Sequence, residues 1–145
     1  EEETRESAAL LNLNDMKNPF NYKLKVMENY EQKTMKVDMI ETFNYLLGLH
    51  VRGYKVYQHN QTKYVFVFGK KENKEIVIIW RDFEGLDLVE DKKFIEEIIE
   101  NHNIDELYIN RDAVLSRKYK VIEPVFKRLM FEEVQNWWNL KNTLY

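Results

Sequence analysis

The sequence predicts a single α/β domain of the α+β kind: a mostly antiparallel sheet of four to five strands with helices packed on it and one parallel crossover. Three observations predict it. Lys63–Phe68 and Glu75–Trp80 are runs apolar on both faces, which places them at the centre of a sheet covered on either side. Segments of helical periodicity bracket them and a further strand follows, giving the order α-β-β-β-α-β. The connectors His59–Thr62 and Lys70–Lys74 are short and polar, as antiparallel hairpins require. With 145 residues, 44% hydrophobic and 14% aromatic, the chain is long and apolar enough to bury one core.

Residues 1–17 read as an N-terminal arm, or as a helix belonging to a preceding domain: an acidic start, then Ala8, Ala9, Leu10, Leu11 and Leu13. The start Glu1-Glu2-Glu3-Thr4-Arg5-Glu6 has no Met, which points to a piece of a longer protein. The domain proper spans 18–145. Asn18-Pro19 marks a turn, because proline pushes its predecessor out of the helical region. Tyr22–Val26 alternates with period two, the pattern of a strand at an edge or with one wet face.

A helix is predicted over about 37–49. Asp38 followed by Glu41 makes a capping box; Ile40, Phe43 and Leu47, with Tyr45 and Leu46, give an apolar face; Gly48 serves as C-cap or permits close packing. Tyr54–Gln58 is a mixed strand before the two apolar runs. After Arg81–Gly85, Asp87 and Glu90 open a second helix with Phe94, Ile95, Ile98 and Ile99 against Glu96, Glu97 and Glu100. Leu107–Ile109 is a short strand, and strand–helix–strand in this space predicts a parallel crossover. The last helix opens near Pro124, suited to a first helical position, with Val125, Phe126, Leu129 and Met130 inward. Trp137, Trp138, Leu140 and Tyr145 end the chain as an aromatic cluster; the tryptophan pair either closes the core or forms a partner surface.

Chemical signatures are scarce. A net charge of -3 gives no global attraction to nucleic acid, so DNA contact needs a local patch. Having no Cys excludes disulfides, zinc–thiolate sites and thiol nucleophiles, and fits a reducing, cytoplasmic setting. No apolar run approaches the roughly 20 residues that cross a bilayer. Gly48 and Gly53 have phosphate-loop spacing, but Tyr54-Lys55 stands where that loop needs Lys-Ser/Thr. His50, His59 and His102 are scattered over a helix end, a turn and a helix C-terminus, and Ser7 and Ser116 lie in the arm and a loop. No catalytic, cofactor or metal residue is assigned.

Two patterns merit weighing. The element order is also that of the restriction-endonuclease-like core, which holds Mg²⁺ with an acid on one strand and an acid-x-Lys triplet on the next. Here Glu75 has no Lys two residues on and Tyr64–Phe68 carries no acid, leaving only Glu41, Glu75 and Asp82 as metal candidates against solvated or capping roles. The best basic patch is Arg117, Lys118 and Lys120 with Lys127 and Arg128. It reads either as DNA phosphate contacts, with Tyr119 to stack, or as a solvated loop and helix face. Arg81, after the most buried strand, is expected to bridge to a carboxylate such as Asp82 or Glu84 in a structural role.

Several stretches together resemble the C-terminal region of the modification subunit of type III restriction-modification systems. They are Asn18–Leu24, Val37–Leu49, Val77–Arg81, Leu107–Asn110 and Glu123–Glu132, in order over residues 18–133. The helix stretch Val37–Leu49 is the most specific. That family methylates the adenine N6 amino group with S-adenosylmethionine through an Asp-Pro-Pro-Tyr-type motif, which grips a flipped base. Neither that motif nor a Phe-x-Gly-x-Gly-type cofactor loop occurs here, so no catalytic residue carries over. The resemblance implies a part lying after the catalytic region, with other modification subunits or a restriction subunit as partners, and DNA met through the parent enzyme.

Overall fold

The computed structural model describes residues 17–144. The expected N-terminal arm, with Ser7 and the Ala8–Leu13 cluster, and the terminal Tyr145 lie outside the described residues.

Pro19–Asn21 form one 3-10 turn, capped by the Asn18 side chain accepting from the Phe20 N–H at 2.9 Å. Next comes a hairpin of β1 (Lys23–Glu28) and β2 (Glu31–Lys36), a two-stranded sheet of its own. Its turn residues Asn29 and Tyr30 both have positive φ, the geometry a two-residue hairpin loop needs to match strand twist. Only the first half of this hairpin was expected. Glu31–Lys36 carries a single apolar residue, so no alternation marks it.

Helix α1 (Met39–Leu47) follows its predicted signals. Asp38 accepts from the Glu41 N–H, and Gly48 ends the helix at φ 77, donating to Asn44 and Tyr45 carbonyls. A meander of β3 (His50–His59), β4 (Thr62–Lys71) and β5 (Lys74–Arg81) comes next, each neighbour antiparallel. Helix α2 (Leu88–Ile99), capped by Asp87, then carries the chain to β6 (Glu106–Ile109), parallel to β5. The two-residue β7 (Lys120–Val121) adds a parallel partner to β6 and runs straight into α3 (Ile122–Leu144). The five-stranded sheet therefore reads β3-β4-β5-β6-β7, the expected mixed sheet with its crossover.

Further along, two boundaries shift and one short strand is new. β3 begins at His50 rather than Tyr54, so His50 opens a strand instead of ending a helix. α3 begins at Ile122, which makes Pro124 its third residue; the first-turn N–H groups lack helical acceptors anyway, so proline removes nothing there. β7 was not foreseen, since two residues held by a neighbour leave no local signal.

The sheet separates two apolar layers. On one face, Met39, Phe43 and Leu47 of α1 and Ile122 and Phe126 of α3 pack on Val65, Val67, Ile76, Ile78, Trp80 and Tyr108. Phe43 is the hub, with the rings of Phe126, Tyr108 and Trp80 at 5.3, 5.8 and 5.9 Å. On the other face, Ile95 and Ile99 of α2 pack on Tyr64, Phe66, Val77, Ile79, Leu107 and Ile109. β4 and β5 are thus covered on both sides, as their unbroken apolar runs required. Gly69 lies under a close crossing: a Cβ there would sit 2.7 Å from both the His50 carbonyl oxygen and Leu49 Cγ.

Candidate functional site

Where β5, β6 and β7 end, the chain builds a polar hub around Arg81. Its side chain is fully buried. Nε donates to Asp91 Oδ1 at 3.0 Å, Nη1 to the Asn110 carbonyl, and Nη2 to the Asp112 carbonyl. Asn110 closes the same junction, its side chain accepting from the Arg81 N–H and donating to the Arg81 carbonyl, each at 2.9 Å. Asp91 Oδ1 also accepts from the Tyr64 hydroxyl at 2.7 Å. Burial and then the adjacent carboxylate raise the Tyr64 pKa far above a free phenol's. The structural role expected for Arg81 holds, but its partner is Asp91 on α2, not Asp82 or Glu84. The buried guanidinium meets a carboxylate buried with it, which limits the cost of desolvating both charges, and Asp82 instead accepts from the Glu84 N–H.

The hub fixes the loop after β6. Arg111 takes φ 63, an uncommon conformation for a side-chain-bearing residue, and its N–H donates to Glu123 Oε1 at 2.9 Å. Burial raises the Glu123 pKa, against the hydrogen bond from Arg111 and the charges of Arg111 and Arg81. An open cavity of about 360 Å³ lies beside this loop, lined by Phe83, Arg111, Asp112, Val121, Glu123 and Pro124. The guanidinium groups of Arg111 and Arg81 lie 5.3 and 5.6 Å from the Phe83 ring centre. Most of the hub's polar groups hold chain to chain, while Asp91 Oδ2 and Glu123 Oε2 are buried without a hydrogen-bond partner among the described residues.

The three candidate metal carboxylates are not brought together. Glu75 lies near the start of β5 and Asp82 just past its end, roughly 23 Å apart at ~3.3 Å per residue of extended chain. Glu75 pairs with Arg52, and Glu41 accepts from the Tyr54 hydroxyl. That bond raises the Tyr54 pKa to about 12. Gly48 and Gly53 form no phosphate loop: one caps α1, and the other lies in β3 beside a register shift at Val51. His59 stacks on Phe94 and His102 on Phe68, both packing contacts. Ser116 sits in a loop where its N–H donates to Glu96.

Of the five candidate phosphate contacts, three are engaged within the domain. Lys120 pairs with Glu106 at 3.6 Å, Arg128 with Glu132 at 3.2 Å, and Arg117 donates to the Ile104 carbonyl at 3.0 Å. Lys118 is exposed in its loop and Lys127 is half-buried on α3. The cations of Lys74 and Lys120, with the Tyr108 hydroxyl, outweigh burial and lower the Glu106 pKa.

The distal half of α3 is the other feature. Its first turns bury Ile122 and Phe126, with Val125, Leu129 and Met130 against the core. Beyond them the helix continues without cover from the described residues. Trp137 and Trp138 are 51% and 46% exposed, and Phe131 and Leu140 are exposed as well. The tryptophans do not close the core. Lys141 Nζ lies 4.8 Å from the Trp137 ring centre. Helical spacing carries the core-facing stripe from Phe126 through Met130 to Trp137 and Leu140.

No helix among the described residues is long and apolar enough to cross a membrane. The chain matches no family model, no curated protein and no solved structure.

Proposed function

We propose that this chain is a non-catalytic C-terminal domain of a site-specific DNA adenine-N6 methyltransferase of a type III restriction-modification system. Its work is subunit assembly, or shaping the complex on DNA. In this reading the parent enzyme binds S-adenosylmethionine elsewhere and acts in the cytoplasm, and the partners are other modification subunits or a restriction subunit. The sequence stretches at 18–24, 37–49, 77–81, 107–110 and 123–132 support the family.

The observation that carries the assembly role is the uncovered apolar stripe of α3. Contiguous exposed aromatics of this kind are rare on a surface that stays wet, and tryptophan is enriched where interfaces bury it. Two copies laid antiparallel about Trp137 supply complementary contacts. Residue numbers opposed in such a pair sum to a constant, so Val134 faces Leu140 and Glu133 faces Lys141, each twice by symmetry. Glu133 and Lys141 are both exposed and available for this.

The test has two arms. The chain incubated with S-adenosylmethionine and duplex DNA transfers no methyl group; transfer by this chain alone would end the reading. Sedimentation of the chain shows concentration-dependent association that Trp137→Lys abolishes. Association untouched by that substitution would remove the α3 role.

A second reading, a DNA-backbone-binding module of the same enzyme, has Lys118 and Lys127 in its favour. It is weakened by the internal pairing of Arg117, Lys120 and Arg128.

A further inference from the structure

We propose that the β1–β2 ribbon is a DNA-binding element whose Lys23/Lys36 face enters the major groove of B-form duplex. This site is separate from α3 and from the Arg117–Arg128 patch, and does not depend on the assembly reading.

The ribbon is hydrogen-bonded to no strand of the five-stranded sheet. Its base is nonetheless fixed. The Val37 N–H donates to the Tyr22 carbonyl at 3.1 Å, and Phe20, Tyr22 and Val37 pack against the core. The body therefore sets the ribbon's direction.

Directly opposed residues of an antiparallel pair share one face. The register opposes Lys23 to Lys36, Lys25 to Thr34, and Met27 to Gln32. Among the described side chains, that face holds Lys23, Lys36, Thr34 and Gln32, and no acid. Glu28 and Glu31 oppose each other at a position of the other face. Lys23, Lys36, Thr34 and Gln32 are all exposed, and Lys23 and Lys36 form no ion pair among the described residues. Facing like charges destabilise a ladder. An isolated two-stranded ribbon has little stability to spare. A polyanion lying on this face would reverse the penalty.

The dimensions fit duplex DNA. Two strands about 4.8 Å apart make a ribbon that the B-DNA major groove, about 12 Å wide, admits. Lysines then meet phosphates while Thr34 and Gln32 offer hydroxyl and amide groups to base edges. Tyr30, 100% exposed at the turn, stands at the leading end. The deep, narrow major groove of A-form RNA has no room for such a ribbon.

The test is fluorescence anisotropy of the whole chain with a labelled DNA duplex of about 24 base pairs and the RNA duplex of the same sequence, between 50 and 200 mM salt, conditions in which phosphate contacts show in the salt slope. The DNA duplex should bind more tightly than the RNA. Lys23→Gln/Lys36→Gln should shrink the salt slope by about 1.8, two contacts at ~0.9 each, and weaken binding severalfold at 50 mM. Lys118→Gln/Lys127→Gln should leave the slope unchanged. In the unaltered protein, DNA should protect Lys23 and Lys36 from acetylation, a readout that holds even if the variant misfolds. Absence of DNA binding at 50 mM, equal or tighter RNA binding, a slope lost at 118/127 instead, or unprotected Lys23 and Lys36 would each overturn the proposal.

Discussion

The Arg81–Asp91 pair is where a single substitution should do the most damage. Both side chains have no exposed surface, and Arg81 links β5, α2 and the loop after β6 through four acceptor atoms on Asp91, Asn110 and Asp112. Arg81→Met keeps much of the volume but leaves the Asp91 carboxylate buried with only the Tyr64 hydroxyl among its described partners. Removing one member of a buried pair costs about 3–5 kcal/mol, because the survivor stays desolvated. Asp91→Leu should cost about the same, with the guanidinium stranded. The double variant strands no charge, so its cost should fall short of the sum by at least ~2 kcal/mol. It should not return to the original stability, since the Asn110 and Asp112 carbonyls and the Tyr64 hydroxyl lose their partner. Urea unfolding of the four proteins measures this cycle. Additivity within ~0.5 kcal/mol, or a single-variant cost below ~1 kcal/mol, would refute a buried pair that holds these elements together.

Two further outcomes follow from the packing and charge. Burial raises the folded-state pKa of Glu123 above its unfolded value, so the fold favours the protonated acid. Its favourable contribution is complete below the unfolded pKa and declines as pH rises through the folded one. Glu123→Gln should therefore gain stability relative to the parent between pH 4 and pH 7 in urea titrations; a relative loss with rising pH would show that the carboxylate is the favoured form. Gly69→Ala places a Cβ 2.7 Å from a backbone oxygen and a leucine carbon, so overpacking should cost about 1–3 kcal/mol, and a melting temperature unchanged from the parent would contradict that close crossing.

Much of the fold was legible because its signals are local. Asp38 and Asp87 cap helices where their spacing to Glu41 and Glu90 placed them, and Gly48 takes the left-handed conformation an ending helix wants. The unbroken apolar runs of β4 and β5 could only be central. What stayed hidden depends on a partner segment rather than on a residue's own local pattern. β2 is polar and exists because β1 pairs with it, and β7 is two residues long and exists because β6 lies alongside. Arg81 found Asp91, a full element away, since only the folded sheet brings the start of α2 beneath the end of β5. The basic patch is two short runs in sequence, 117–120 and 127–128, and Glu106 and Glu132 take up two of its cations and the Ile104 carbonyl a third. Trp137 and Trp138 were ambiguous for a plain reason: helical spacing gives the stripe but not where the body beneath it stops.

The assembly reading is tested most directly by a charge swap on α3 followed by sedimentation equilibrium. A helix-to-helix contact of this length falls below the standard interface size, so self-association on the order of 10–100 μM is expected. Glu133→Lys and Lys141→Glu should each weaken it by setting like charges opposite one another. The double variant, in which both symmetric pairs are exchanged, should restore it. A chain that stays monomeric at several hundred micromolar, or a double variant as weak as the singles, would contradict the account.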